Sequence, residues 1–252
     1  MTDLLSGHLK TRLRAGNPLG LVWLSLGHAS IAEMAAHSGA DALVIDLQHG
    51  LWERGTFEMA VGVSMGKVPV LARVAENSSF AIGSALDAGT DGVLVPMVET
   101  AEQAAAAVSA ARFPPHGNRS GGGVRPLSMG FGAYLDKAET IVVGVMIETV
   151  KGIANAEAIA ATPGLDLILI GTGDLSISHG TAKGGSQTME EACTVVKAAC
   201  QKAGIASGIF TTSVEAAATR RKDGYQLVVV ANDIDAIKGS FAVAVAQFME
   251  AS

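Results

Sequence analysis

Short, unbroken apolar runs recur along this 252-residue chain, separated by longer stretches in which apolar and polar positions mix at helical spacing. Runs of that kind, bounded by turn residues, predict strands buried on both faces, as in a parallel sheet. They fall at 21–26, 42–46, 68–73, 92–96, 141–147, 167–170, 206–210 and 226–230. Five share one lead-in, a helix tail followed by glycine: HSGADALVID, DAGTDGVLVP, TPGLDLILIG, KAGIASGIF and KDGYQLVVV. Glycine just past a helix end takes the left-handed conformation that closes the helix. Capping-box spacing marks helix starts at Ser30…Glu33, Thr100…Gln103, Thr188…Glu191 and Thr212…Glu215. Strands alternating with helices in this number predict an α/β fold, a single-domain (β/α)₈ barrel (TIM barrel) over residues 1–252. One connection, 113–139, is long and carries Pro114-Pro115, Arg119, Gly121–Gly123 and Arg125. Loops of that length are usually functional, so it is expected to be an active-site or subunit-contact loop.

Composition narrows the setting. Charged residues are only 17%, against about 25% in typical soluble domains, and the mean hydropathy is +0.36. No apolar run approaches the roughly 18 residues of a membrane span, so the excess apolar surface is expected in subunit contacts. The first residues, MTDLLSGHLKTRLRAG, read as an amphipathic helix rather than a signal peptide. A net charge of −6 without a basic cluster argues against a nucleic-acid footprint. Arg220-Arg221 reads as a solvated helix end. Cys193 and Cys200 lie seven apart on one predicted helix, roughly 10 Å along its axis, too far for a disulfide. Buried reduced thiols and a cytoplasmic location are expected.

Chemistry gathers where strands end. The fifth strand runs into Glu148, and the sixth leads through Gly171-Thr172-Gly173 to Asp174. A carboxylate directly after such a strand emerges at the carboxyl edge of the sheet, where barrels place ligands. Two there would repel unless a proton or cation lay between them. With only oxygen ligands available, the fitting cation is a hard one, Mg²⁺ or Mn²⁺, with Co²⁺ a further candidate. The second strand ends Asp46-Leu47-Gln48-His49 and the third ends at Arg73. Packing alone does not explain these polar groups in an apolar barrel, since each costs desolvation unless used. A 2-oxo acid could chelate the cation, which would stabilise an enolate as a Lewis acid. Arg73 would face the developing oxyanion, and His49 suits proton transfer. Backbone N–H groups at 171–173 could hold the substrate carboxylate. No lysine falls at the end of a strand, so Schiff-base aldol chemistry is disfavoured.

With these residues in place the chain resembles the HpcH/HpaI aldolase family, class II pyruvate aldolases that include 4-hydroxy-2-oxoheptanedioate aldolase. The resemblance rests on IDLQHG (45–50), LARV (71–74), LDAGTDGVLVPMVETAEQA (86–104), FPPHGNRS (113–120), MIET (146–149) and IGTGDLSISHG (170–180). It implies a divalent metal on Glu148 and Asp174, Arg73 as transition-state stabiliser, and His49 as acid/base assisted by Asp87. It also implies substrate contacts from Gln48, Met146, Gly173 and Asp174, and reversible cleavage of a 4-hydroxy-2-oxo acid to pyruvate, or an analogue such as hydroxypyruvate, and an aldehyde. A homohexamer that exchanges a C-terminal helix is implied as well. Three positions depart from the family pattern: Gln48 stands where many members carry Glu, Met146 where a polar Gln is common, and Thr172-Gly173 where Pro-Ala is usual. Asp87 sits near the end of the helix after the third strand, which points away from the mouth of its own barrel. It would reach His49 from a neighbouring subunit, or else serve only local hydrogen bonds. Two rival enzymes remain, an acyl-CoA lyase and an oxaloacetate decarboxylase. The first lacks a basic groove for phosphates. A non-catalytic metal- or metabolite-binding barrel is the rival from another class, and it would need neither His49 nor Arg73.

Overall fold

The computed structural model describes residues 8–180 and 187–250; the side chain of Thr188, and with it that capping expectation, lies outside the described residues. The strands are β1 Leu19–Leu24, β2 Ala42–Asp46, β3 Val70–Arg73, β4 Gly92–Val95, β5 Val142–Ile147, β6 Leu167–Ile170, β7 Ala206–Ile209 and β8 Leu227–Asn232. They form a closed barrel in sequence order, each parallel to its neighbours. The helices preceding β5 are α1 Leu9–Arg14, α2 Ala29–Ala36, α3 Arg54–Ser64, α4 Ser79–Asp87, α5 Ala101–Ala111, α6 Val124–Leu127 and α7 Phe131–Thr140. After it come α8 Val150–Ala154, α9 Ala156–Ala160, α10 Thr172–Ser178, α11 Gln187–Ala203, α12 Val214–Lys222 and α13 Asp233–Glu250. This is the (β/α)₈ architecture that the alternation of runs predicts.

Strand periodicity divides the core in two. Leu21 and Trp23, Ala42 and Val44, Leu71, Leu94, Val142 and Met146, Leu167 and Leu169, and Leu227 and Val229 fill the barrel. Their alternates, among them Leu43, Ile45, Val143, Val145, Ile168 and Ile170, pack outward against the helices. Each such Leu or Ile, fully buried, contributes about 1.5–3 kcal/mol. The two faces explain why the strands read as unbroken apolar runs.

All five helix-ending glycines, Gly39, Gly89, Gly164, Gly204 and Gly224, have φ between 70° and 95°. The polar residue just after several of them does something that the sequence pattern does not announce. Asp41 Oδ2 accepts from Gly20 N at 2.8 Å, Asp91 Oδ2 from Val70 N at 2.9 Å, Asp166 Oδ2 from Val143 N at 3.1 Å and Gln226 Oε1 from Ser207 N at 2.9 Å. Each side chain thus ties the start of one strand to the start of its neighbour, around the amino-terminal face. The amphipathic α1 closes that face, with Leu9 and Leu13 packed on the barrel interior.

Four expectations need correction. Ser30 caps nothing, because α2 begins at Ala29 with His28 at its N-cap. The Thr100–Gln103 capping box forms, whereas near Thr212 the cap is Ser213, whose Oγ accepts from Ala216 N. The 113–139 connection follows a helix and precedes a strand, so it lies at the amino-terminal face, opposite the mouth, and none of its residues lines the mouth cavity. It is therefore not an active-site loop of its own barrel. Its Arg119 pairs with Asp87, and its Arg125 donates to the Glu58 carbonyl at 2.7 Å. Arg220 is half-buried rather than freely solvated, bound to Glu190, while Arg221 is exposed.

Candidate active site

Parity places the chemistry. Two residues beyond inward Val44 comes Asp46, two beyond Leu71 comes Arg73, and two beyond Met146 comes Glu148, so all three point into the carboxyl end of the barrel. Asp46 and Arg73 are also register partners across β2 and β3. Together with Trp23, Ser25, His49, Met146, Asp174 and Phe210 they line a cavity of about 580 Å³ at the mouth, closed on its far side by Asn232, Ile234 and Asp235.

The Asp46–Arg73 pair is a buried ion pair at the floor of the cavity. Arg73 Nε donates to Asp46 Oδ1 at 2.8 Å and Nη2 donates to Oδ2, a bidentate fork. Asp46 accepts further from the backbone N–H groups of Gln48 and His49 at 3.1 and 3.2 Å, and from Trp23 Nε1 at 3.3 Å. Arg73 is stacked over the Trp23 ring, 5.0 Å from its centroid. Burial pushes the Asp46 carboxyl upward, but Arg73's hydrogen bonds and charge, with the His49 and Trp23 N–H groups, outweigh it and hold the carboxyl below its ordinary value. The consequence is a guanidinium oriented through Nε and Nη2, whose Nη1 edge makes no hydrogen bond to a described residue.

Glu148 is 1% exposed. Its Oε1 accepts from Met97 N at 2.8 Å, and Met97 adopts φ 56° just past β4 to aim that N–H. A non-glycine residue in the left-handed region costs roughly 1–2 kcal/mol, so the aim is held by the surrounding structure. Oε2 has no hydrogen-bond partner. Burial, and secondarily the nearby charge of Asp174, raise this carboxyl above its ordinary value, with the Met97 N–H opposing. Gly171 crowds the same oxygen: a Cβ there would lie 2.3 Å from Oε2. Asp174, in the first turn of α10, completes the acidic side, and β5 and β6 are adjacent, with Ile147 paired to Ile170. An orphaned buried carboxylate oxygen beside a second carboxylate is the arrangement that a hard divalent cation satisfies. Among the described residues no group of three His, Cys, Asp or Glu gathers, so the protein would supply two carboxylates and leave the remaining positions open.

The other sequence-designated residues divide. His49 is exposed at the cavity rim, and Met146 and Gly173 line the cavity. Gln48 does not line it; its Oε1 is buried without a partner. Asp87 closes α4 and accepts from Arg119 Nη2 at 2.9 Å, and it is absent from the mouth of its own barrel. Among the described residues no lysine lines the cavity. Trp23, Phe210, Asn232 and Asp235 were not singled out by sequence. The polar positions of ANDID (231–235), after Leu227–Val230, are the signal that marks the last two.

Residues 20–238 match the HpcH/HpaI aldolase/citrate lyase family. A hydroxypyruvate/pyruvate aldolase of Paraburkholderia phytofirmans is 34% identical over 239 residues, covering 90% of this chain and 91% of that protein. A 2-dehydro-3,6-dideoxy-6-sulfogluconate aldolase of Pseudomonas putida is 34% identical over 230 residues, 88% of each. The crystal structure of an HpcH/HpaI aldolase/citrate lyase family protein from Burkholderia cenocepacia superposes with a TM-score of 0.89 at 35% identity, covering 96% of this chain and 98% of that one.

Proposed function

The chain belongs to the HpcH/HpaI aldolase/citrate lyase family, and from that premise we propose how its own residues carry out a class II aldol cleavage. It is a carbon–carbon lyase that splits a 4-hydroxy-2-oxo acid into a 2-oxo acid, pyruvate or hydroxypyruvate, and an aldehyde. The observation that carries the reading is the buried, unpartnered Glu148 Oε2 facing the same cavity as the Arg73 edge. A divalent cation on Glu148 and Asp174, Mg²⁺ or Mn²⁺ by its oxygen ligands, supplies Lewis acidity toward the keto oxygen when bound.

The residues of the chain account for the remaining work. Arg73 Nη1 donates to the C2 oxygen, where negative charge grows as the bond breaks; Asp46 keeps that donor fixed, so little reorganisation is needed. His49 takes the proton of the C4 hydroxyl. The C3–C4 bond then breaks, C4 becomes the aldehyde carbonyl, and the electron pair moves through C3 to leave an enolate whose oxygen faces Arg73. A proton delivered to C3 completes the 2-oxo acid. The unpaired N–H groups in the first turn of α10, at Gly173 and Asp174, suit the substrate carboxylate. Met146, apolar and 1% exposed, packs below. Asp87, occupied by Arg119 in its own chain, would assist His49 only from a neighbouring copy.

Assembly into a hexamer with exchange of α13 fits the surface. Beyond Asp233 only Ile237 of that helix is half-buried, and Phe241, Val245 and Phe248 are exposed. The β8–β1 seam, where a last helix would pack, instead borders an open groove of about 690 Å³. No described helix is long and apolar enough to cross a membrane, and free, buried Cys193 and Cys200 fit a cytoplasmic protein. Arg73→Ala tests the reading: kcat should fall about 10²-fold or more, and unchanged turnover would reject the oxyanion role.

A further inference from the structure

The enolate machinery occupies one arc of the mouth: His49 after β2, Arg73 on β3, Glu148 after β5 and Asp174 after β6. What remains for the departing aldehyde is the wall built by the ends of β7, β8 and β1. Phe210 and Ile234 give that wall its apolar surface, and Trp23 meets Phe210 edge-on with centroids 5.3 Å apart. Its polar part is Ser25, whose hydroxyl is turned to Asp46, and one pair. Asn232 Nδ2 donates to Asp235 Oδ2 at 2.7 Å, and Asp235 N donates to Asn232 Oδ1 at 2.8 Å. The reciprocal bonds fix the Asp235 carboxylate at the cavity wall and leave its Oδ1 unoccupied by Asn232. Among the described residues Arg73 is the only Arg or Lys lining the cavity, and Asp46 already neutralises it. Nothing described on the acceptor wall can therefore pair with a carboxylate, sulfonate or phosphate.

We propose that Asp235, positioned by Asn232, is a specificity-determining residue that restricts the aldehyde half of the substrate to uncharged aldehydes. Hydroxylated ones gain a hydrogen bond to Oδ1. The inference rests on the aldolase reading above. The sulfonated substrate in the name of the Pseudomonas putida relative marks the class that this wall would disfavour.

The test compares butanal with succinic semialdehyde, which share a four-carbon chain and differ by a carboxylate, as acceptors for pyruvate. Wild-type protein should favour butanal in kcat/KM by about tenfold or more, the scale of one like-charge contact in a part-solvated mouth. Asp235→Asn, which keeps a side chain able to bond Asn232, should narrow that ratio by about tenfold, and Asp235→Glu should restore it. A folding defect would lower both acceptors together and leave the ratio in place. Preference for succinic semialdehyde in the wild type, or an unaltered ratio in Asp235→Asn, overturns the proposal. Exchange of pyruvate methyl protons in D₂O, which involves no aldehyde, separates the two levels. Exchange with the wrong acceptor preference rejects only the role of Asp235, whereas no exchange removes the aldolase reading beneath it.

Discussion

Replacing Asp46 with Asn exchanges one oxygen for an NH₂ group and should disable the site. Asp46 and Arg73 side chains are 3% and 9% exposed, and the carboxylate accepts both prongs of the guanidinium together with backbone and indole N–H groups. An amide can present its oxygen to Arg73 Nε, but its NH₂ then faces Nη2, donor against donor. The guanidinium is left charged and buried without its counter-ion, a loss of about 3–5 kcal/mol when a buried pair is broken from one side. For a protein of this size each kcal/mol moves the melting temperature by about 2–4 °C, so the expected drop is roughly 6–20 °C. Turnover should fall about 10²–10³-fold, because the oxyanion donor is no longer fixed. Thermal melts and steady-state kinetics on one preparation read both. The sign with pH is defined. The folded carboxyl lies below its ordinary value of 3.8, so its stabilisation is complete above that value and is lost as pH falls through the depressed one. The gap between wild type and variant should therefore narrow only in strong acid. A variant within 1 kcal/mol of wild type and fully active would refute the reasoning.

Glu148→Gln should act in opposite directions on stability and activity. The folded carboxyl lies above its ordinary 4.5, so the ionised form destabilises the metal-free protein increasingly as pH rises through the raised value. The amide should melt a few degrees higher than wild type at neutral pH without metal, yet show no divalent-cation-dependent turnover. A lower melting point would contradict the desolvation argument. Gly171→Ala pushes a methyl against Glu148 Oε2 at 2.3 Å; Mn²⁺ affinity by calorimetry should drop tenfold or more, roughly 1.4 kcal/mol or above, and unchanged affinity would remove Glu148 from the metal site. Burial pushes the Cys193 and Cys200 thiols up to about 11 and about 12. Both should resist a thiol reagent at pH 8 in the native protein and react once denatured, so rapid labelling of the native form would show that the core opens.

What the sequence makes legible follows from physical simplicity. A strand buried on both faces must be apolar throughout, so its run is visible, and so is the first polar residue beyond it; Asp46, Arg73 and Glu148 emerge by that logic. Loop function is less visible. Length marks 113–139 as unusual but does not say which end of the barrel it occupies; its place between α5 and β5 does. Asp41, Asp91 and Asp166 follow helix-ending glycines without any mark of a role, and only three-dimensional pairing shows them fastening adjacent strand starts. The eighth strand reads as ending at residue 230 but continues to Asn232. That shift of two residues hides the Asn232–Asp235 pair, since a residue taken for helix start is not searched for at a mouth. Asp87 marks another limit: its partner in this chain, Arg119, comes from a distant loop, and a role toward His49 depends on a contact between copies.

The most direct test of the central claim is proton–deuterium exchange at the pyruvate methyl group, followed by NMR in D₂O with no aldehyde present. Protein stripped with EDTA should leave the methyl signal intact, and Mn²⁺ or Mg²⁺ should restore exchange in wild type but not in Glu148→Gln. Exchange that is absent with every divalent cation, or that continues undiminished in the stripped protein, would contradict the account.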